Sequence, residues 1–268
     1  MRSNTSNVLV AFLTFLTLFC LTGYQVTNET SGVRLLGRLG AALIELDRWL
    51  PAHQDDIELL ARDRGDQPVV LTDLPIDVAI PSSAALSAPA PVLKATITEA
   101  MGHRLYDEGY GVIQDDQGQS HLGITEPLRW AIDMLDSSAH GFWTIGIAIT
   151  GLALLVICLG HFWARQSPLP GLAVGSAVTA ILALAAWLLV SFLGSRVSSG
   201  GLDEEIARVA RDGVWIGLRN SIAATAIGLG GLYAYNSLVS PRHDEEWEEW
   251  DEFEYEPYEA ESREAPPY

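Results

Sequence analysis

The residues best suited to chemistry are few, and their spacing is loose. His53, Asp55, Asp56 and Glu58 cluster, and on a helix His53 and Asp56 would share a face at i, i+3. A metal site needs three or four converging ligands, so this pair reads instead as a polar helix start whose acids suit the N-terminal end of the helix dipole. His103 and Asp107 repeat the theme at i, i+4. Together His53, Asp56, His103 and His121 are the one constellation from which a membrane-anchored enzyme could be assembled. No GxSxG, HExxH, phosphate-binding loop or GxGxxG occurs. The sequence therefore predicts no catalytic residue, no cofactor and no metal ligand.

Two other groups of residues carry binding potential. The first is a stripe of small residues, Gly171, Gly175, Thr179 and Ala183, repeating every fourth position in an apolar run. Such stripes let two helix backbones approach closely in lipid, where no hydrophobic force drives association. The stripe predicts packing on another span of the same chain, with homo-oligomerisation or a partner subunit as the alternative. The second is the C-terminal segment, where Trp247, Trp250, Phe253, Tyr255 and Tyr258 are interleaved with twelve acids. Arg263 is its one arginine or lysine after residue 242, so −11 of the net charge of −18 sits there and −7 remains elsewhere. A segment so charged, with Pro257, Pro266 and Pro267, is expected to be disordered alone, while its aromatics offer anchors to a basic protein partner.

The elements that must position these groups are mostly membrane helices. The chain of 268 residues is 49% hydrophobic and only 19% charged, which excludes an ordinary soluble domain. A first apolar run, Val8 to Leu21, belongs to a signal anchor over 1–27, since no small-residue pair marks a cleavage site. Phe142 to Leu159, bracketed by Trp143 and Trp163, gives a second span over 140–164, and about 20 residues at about 1.5 Å each match the hydrocarbon thickness. A short loop, 165–170, with Pro168 and Pro170 leads into a third span over 171–194. Leu202, Ile206, Val209, Gly213 and Ile216 recur at spacings of 4, 3, 4 and 3, which predicts an amphipathic surface helix over 195–220. A fourth span over 221–240 and the acidic tail over 241–268 follow.

Between the first two spans, residues 28–139 are long enough for a small α+β domain. Leu36, Leu39, Leu43, Leu46 and Leu50 form a helix seam closed by Pro51. A helix over 52–63, strands at Val69 to Leu71 and Ile76 to Ile80, and a loop over 82–91 come next. A helix from Pro91 to Asp107 stops at Gly109, and Gly111 to Gln114 with His121 to Ile124 is expected as a hairpin. The last helix, carrying Leu128, Ala131, Ile132 and Leu135, is expected to run on into the second span as a rigid connection.

Charge and polarity narrow the function. No basic stripe exists, so nucleic acid is excluded as a partner. No Asp, Glu, Lys or Arg lies within the first three spans, which argues against a transport pathway. Cys20 and Cys158 lie in separate apolar runs and are not expected to bond. Fifteen of sixteen basic residues are arginine, with Lys94 the exception, a bias that suggests a bacterial source. Charge beside the first span favours a cytoplasmic N-terminus, although the arginines count the other way, three inside against eight outside. The topology is similar to those of claudins and tetraspanins, but neither family's cysteine pattern is present.

The expectation is an α-helical polytopic membrane protein with four predicted spans, an extracytoplasmic α+β domain and a disordered acidic tail. It would sit in the lipid bilayer of a bacterial cell membrane as a multi-pass protein, with N-terminus and tail cytoplasmic. Its function would be that of a non-enzymatic interaction or adaptor protein. The alternatives are an accessory subunit of a membrane transport or envelope complex, docking through the third span, and the membrane-anchored enzyme.

Overall fold

The computed structural model describes residues 2–64, 67–71, 74, 76–113, 126–164, 166–196 and 202–239. Helix α1, Arg2–Thr27, contains the first apolar run. Its threonines in the second half and centre bond within the helix: Thr14, Thr17, Thr22 and Thr27 each donate at 2.8 Å to the carbonyl four residues back. The helix stops at Asn28, whose side-chain oxygen accepts from the Ser31 backbone N–H at 2.8 Å and so caps α2, Glu29–Leu43.

The leucine seam is not one helix, as its spacing predicts. It breaks at Ile44 and Glu45, where Glu45 adopts the left-handed conformation with φ 49° and ψ 47°. Helix α3, Leu46–Ala52, then resumes, and it ends one residue past Pro51. The kink lets Ile44 join Leu36, Leu39, Leu46 and Leu50 in the core, so burial outweighs local regularity. Helix α4, Gln54–Arg64, follows, then β1, Val69–Leu71, and β2, Val78–Ile80. The strands pair antiparallel with Val69 opposite Ile80 and Leu71 opposite Val78; these four side chains face inward, while Val70 and Ala79 face out.

Residues 83–86 form a short helix, α5, Ser83–Leu86, inside the expected loop. Helix α6, Ala90–Glu108, stops at Gly109, whose φ of 64° suits a residue without a Cβ. A 3-10 turn, Gly109–Ile113, replaces the first strand of the expected hairpin, because Ile113 turns into the core instead of pairing. The second strand, His121 to Ile124, lies outside the described residues, as does the tail over 241–268. Helices α2 and α6 cross backbone to backbone. A Cβ on Gly37 would lie 2.3 Å from the Thr98 carbonyl oxygen, and one on Gly102 would lie 2.2 Å from that of Val33. Around this crossing Leu35, Leu36, Leu39, Ile97, Met101 and Leu105 fill the centre of a helical lobe.

Helix α7, Glu126–Asp133, does not continue into the next helix, contrary to the expected rigid connection. The chain turns at Met134 to Asp136, burying Leu135, and the Asp136 carboxylate accepts from the Ala139 N–H at 2.8 Å to cap α8, Ser137–Trp163. Helices α9, Leu169–Gly194, and α10, Leu202–Val239, complete the described residues. Among the described residues three helices are long and apolar enough to cross a membrane: Thr5–Thr27 of α1, all of α8 and all of α9. Helix α10 is not among them.

These four helices form a bundle centred on α1. Trp143 of α8 lies over Gly23 and meets Phe19 edge-on at 5.4 Å, while Gly146 touches Cys20. Gly171 and Gly175 of α9 meet α1 at Asn7, Val10, Ala11 and Thr14. Helix α10 runs antiparallel to α1, with Gly213 by Val26 and Gly217 by Thr22, and it continues along α9 with Gly228 against Ala173 and Gly231 by Leu169.

The amphipathic stretch before residue 220 is thus not a separate element, for α10 is unbroken through residue 239. Its apolar face is covered by protein. Val209 is part of the lobe core, and Leu202 and Ile206 pack against that core.

Candidate functional site

Besides its apolar contacts, helix α10 is tied to the lobe by an arginine. Arg38 projects from α2 between Glu205 and Asp212, two acids seven residues apart and therefore on one face of α10. Its Nε donates to Glu205 Oε1 at 2.5 Å and its Nη1 to Asp212 Oδ2 at 3.0 Å. Burial alone would lower the guanidinium pKa, but the hydrogen bonds to Asp212 and Glu205, reinforced by their charge, raise it above the ordinary arginine value. Glu205 is the least exposed member at 14%, against 32% for Arg38, so the contact is partly shielded from solvent screening. Arg208 supports it from the same helix, donating to Glu205 at 3.2 Å and also to Glu204.

Beside this clamp lies a cleft of about 530 Å³ between α2, α6 and α10. Its charges are matched in pairs, with Lys94 on Asp47 at 2.5 Å and Arg48 on Glu45 at 2.6 Å. A second groove of about 730 Å³ runs along α2 and α6 past Glu29, Arg34, Glu99 and His103, and shares Arg38, Lys94 and Thr98 with the first. The charges lining the first cleft balance, with Arg38, Arg48, Lys94 and Arg208 set against Glu45, Asp47, Glu204 and Glu205.

The histidine candidates do not converge into a metal site. His53 donates from Nδ1 to the Trp49 carbonyl at 2.9 Å and stacks on the Trp49 ring at 4.5 Å, while Asp55, Asp56 and Glu58 face solvent. The carbonyl can only accept, so this geometry assigns the proton to Nδ1. His103 is exposed on the rim of the second groove. Among the described residues no three His, Cys, Asp or Glu side chains are grouped to hold a metal ion. His121 lies outside the described residues, and so do Trp247, Trp250, Phe253, Tyr255 and Tyr258.

The small-residue stripe is brought together with α1. Gly171, Gly175 and Thr179 are buried and Ala183 is half-buried, and the Thr179 hydroxyl donates to the Gly175 carbonyl at 2.7 Å. Cys20 and Cys158 are both free thiols.

Sequence reasoning missed three polar contacts between the helices of the bundle. Ser6 Oγ meets His161 Nε2 at 2.9 Å, Thr27 Oγ1 meets His140 Nδ1 at 3.3 Å, and Asn220 Nδ2 donates to Gln25 Oε1 at 2.9 Å. The first two pin α1 to α8 at both ends. The available signal was that all these residues lie close to the ends of apolar runs, where polar groups can meet at one depth. The Arg38 clamp was missed as well; its partners are 167 and 174 residues away in sequence, and no local pattern announces them.

The chain matches no protein-family model, no curated protein and no solved structure. What defines its class is the fold itself. It is a mostly helical protein in which three helices are apolar enough to cross a membrane, with a helical lobe bearing a two-stranded antiparallel sheet.

Proposed function

We propose that this chain is a non-enzymatic integral membrane protein, a multi-pass adaptor that carries an interaction lobe on one face of the cell membrane and an acidic, aromatic recruiting tail on the other. The observation that carries this reading is the course of α10. It begins in the lobe core at Val209, passes Val26 at the lobe end of α1, and ends beyond Gly231, beside Leu169 at the opposite end. Its second half is read as a fourth span, packed on α9 at Gly228 and Gly231. The tail then emerges on the face that also holds the N-terminus, away from the lobe. We take that face as the cytoplasmic one on the local charge beside the first span, Arg2 before it against Glu29, Arg34 and Arg38 after it.

The tail reads as a segment that recruits a basic partner, with Trp247, Trp250, Phe253, Tyr255 and Tyr258 as its anchors. Docking of a transport or envelope complex on the small-residue stripe has less support, since Gly171 and Gly175 already face α1.

Protease protection of sealed vesicles, with one tag at residue 268 and another after Gln67, tests the reading. Tags on opposite sides, with the lobe outside, are expected. Tags on the same side would remove the fourth span, and with it the adaptor spanning two compartments.

A further inference from the structure

Three helical junctions join the lobe to the bundle among the described residues, and they are built differently. At Asn28 the chain breaks between α1 and α2, with Asn28 capping the second helix. Between Met134 and Asp136 it breaks again, with Asp136 capping α8. Capped breaks allow the helices on either side to change their angle, because no continuous hydrogen-bond ladder crosses them. Only α10 passes from the lobe into the bundle without a break, over the 38 residues Leu202–Val239.

The ties along α10 are concentrated at its lobe end. Arg38 bridges Glu205 and Asp212, Val209 is set in the lobe core, and Asn220 bonds Gln25. Midway, the rings of Trp215 on α10 and Trp187 on α9 meet at 6.3 Å, and farther down the two helices approach closely, with Gly228 against Ala173 and Gly231 by Leu169.

We infer that α10 is the rod that links the position of the lobe to the far end of the bundle, and that the Arg38 clamp is its coupling joint. This rests on the adaptor reading only for its biological use; the mechanical link stands on the fold alone. A rigid-body shift of the lobe carries Glu205 and Asp212 with Arg38, and the unbroken helix passes the shift to the residues following Gly231. The junctions at Asn28 and Asp136 absorb the accompanying change of angle. Releasing Arg38 uncouples the two ends.

The test is cysteine cross-linking at the far end, in the full chain in lipid vesicles. Cys20→Ala and Cys158→Ala remove the native thiols, and Leu169→Cys with Gly231→Cys places a pair where a Cβ on Gly231 would lie 3.5 Å from the Leu169 side chain. Into this background go Arg38→Gln and, separately, the double variant Glu205→Gln with Asp212→Asn. Each is expected to change the cross-linking rate at least about threefold, since a population shift at the joint must appear at the other end of a rigid helix. A rate unchanged in both, or changed in one alone, overturns the coupling. If Arg38→Gln costs the lobe its protease resistance, the α10 double variant carries the test by itself. Cross-linking reports the register of α10 against α9 whichever face the tail occupies. A failure of the tag experiment above is therefore distinguishable from a failure of the coupling.

Discussion

A Cβ placed on Gly175 would lie 2.4 Å from the carbonyl oxygen of Ala11, so α9 and α1 touch backbone to backbone at this point. Gly175→Leu therefore has to push the two helices apart, and overpacking of this kind costs about 1–3 kcal/mol. Gly151 of α8 provides the contrast, because nothing lies within 4 Å of the Cβ it would carry. Gly151→Ala is expected to stay within about 1 kcal/mol of the parent, as an uncrowded helix position should. Unfolding in mixed micelles compares the two, and equal tolerance would refute the close approach of α9 to α1.

The lobe makes the same demand at a second crossing. Gly102 faces the Val33 carbonyl and Gly37 the Thr98 carbonyl, on opposite sides of the contact between α2 and α6. Gly102→Val should remove the cooperative thermal transition of the lobe, since Met101 and Leu105 on either side are fully buried and cannot yield. The apolar helices should survive in the same variant. Far-UV circular dichroism retaining most helix while protease resistance of residues 28–135 is lost would be the expected pattern.

These crossings also mark where the sequence is legible and where it is not. Apolar runs long enough for a bilayer announce α8 and α9 by composition alone, the shorter run Val8 to Leu21 announces α1 as an anchor, and a β-branched run and an alternation announce β1 and β2. The period of Leu202, Ile206 and Val209 reveals an apolar face, but periodicity is blind to which apolar medium covers that face. Here the lobe does, and the evidence is Arg38, whose position on α2 carries no mark of its partners on α10. The junction at Asp136 was hidden for a related reason: Leu128, Ile132 and Leu135 keep helical spacing across a turn because all three point into one core.

Tyr106 ties the lobe to the end of α1 and should make stability depend on pH. Its hydroxyl donates to the Thr27 carbonyl at 3.0 Å, at a helix end where that carbonyl has no intrahelical partner. Burial raises its pKa above the ordinary tyrosine value, and the nearby Glu29, Asp107 and Asp136 raise it further. The unfolded chain therefore loses this proton first as pH climbs past about 10, and stability falls with rising pH from there. Tyr106→Phe should cost about 1 kcal/mol at neutral pH and flatten that alkaline decline. Unfolding curves of the two proteins between neutral and alkaline pH decide it, and parallel declines would contradict the assignment.

Glu45 offers a test in which the sign of the effect is the answer. The leucine spacing from Leu36 to Leu50 fits one continuous helix, and within such a helix Glu45→Gly would destabilise by about 1 kcal/mol. In the structure Glu45 instead follows the end of α2 with φ 49°, its N–H bonded to the Ala42 carbonyl at 3.2 Å, which is the position where helices favour glycine. The left-handed conformation strains a residue with a Cβ, and the ion pair to Arg48 that glycine would forgo is well exposed, at 84% and 63%, and contributes little. Glu45→Gly should therefore stabilise the lobe by about 0.5–1 kcal/mol, and Glu45→Val should destabilise it. Chemical denaturation of the full chain reads the signs, and a glycine that destabilises, by more than the valine does, would restore the unbroken helix.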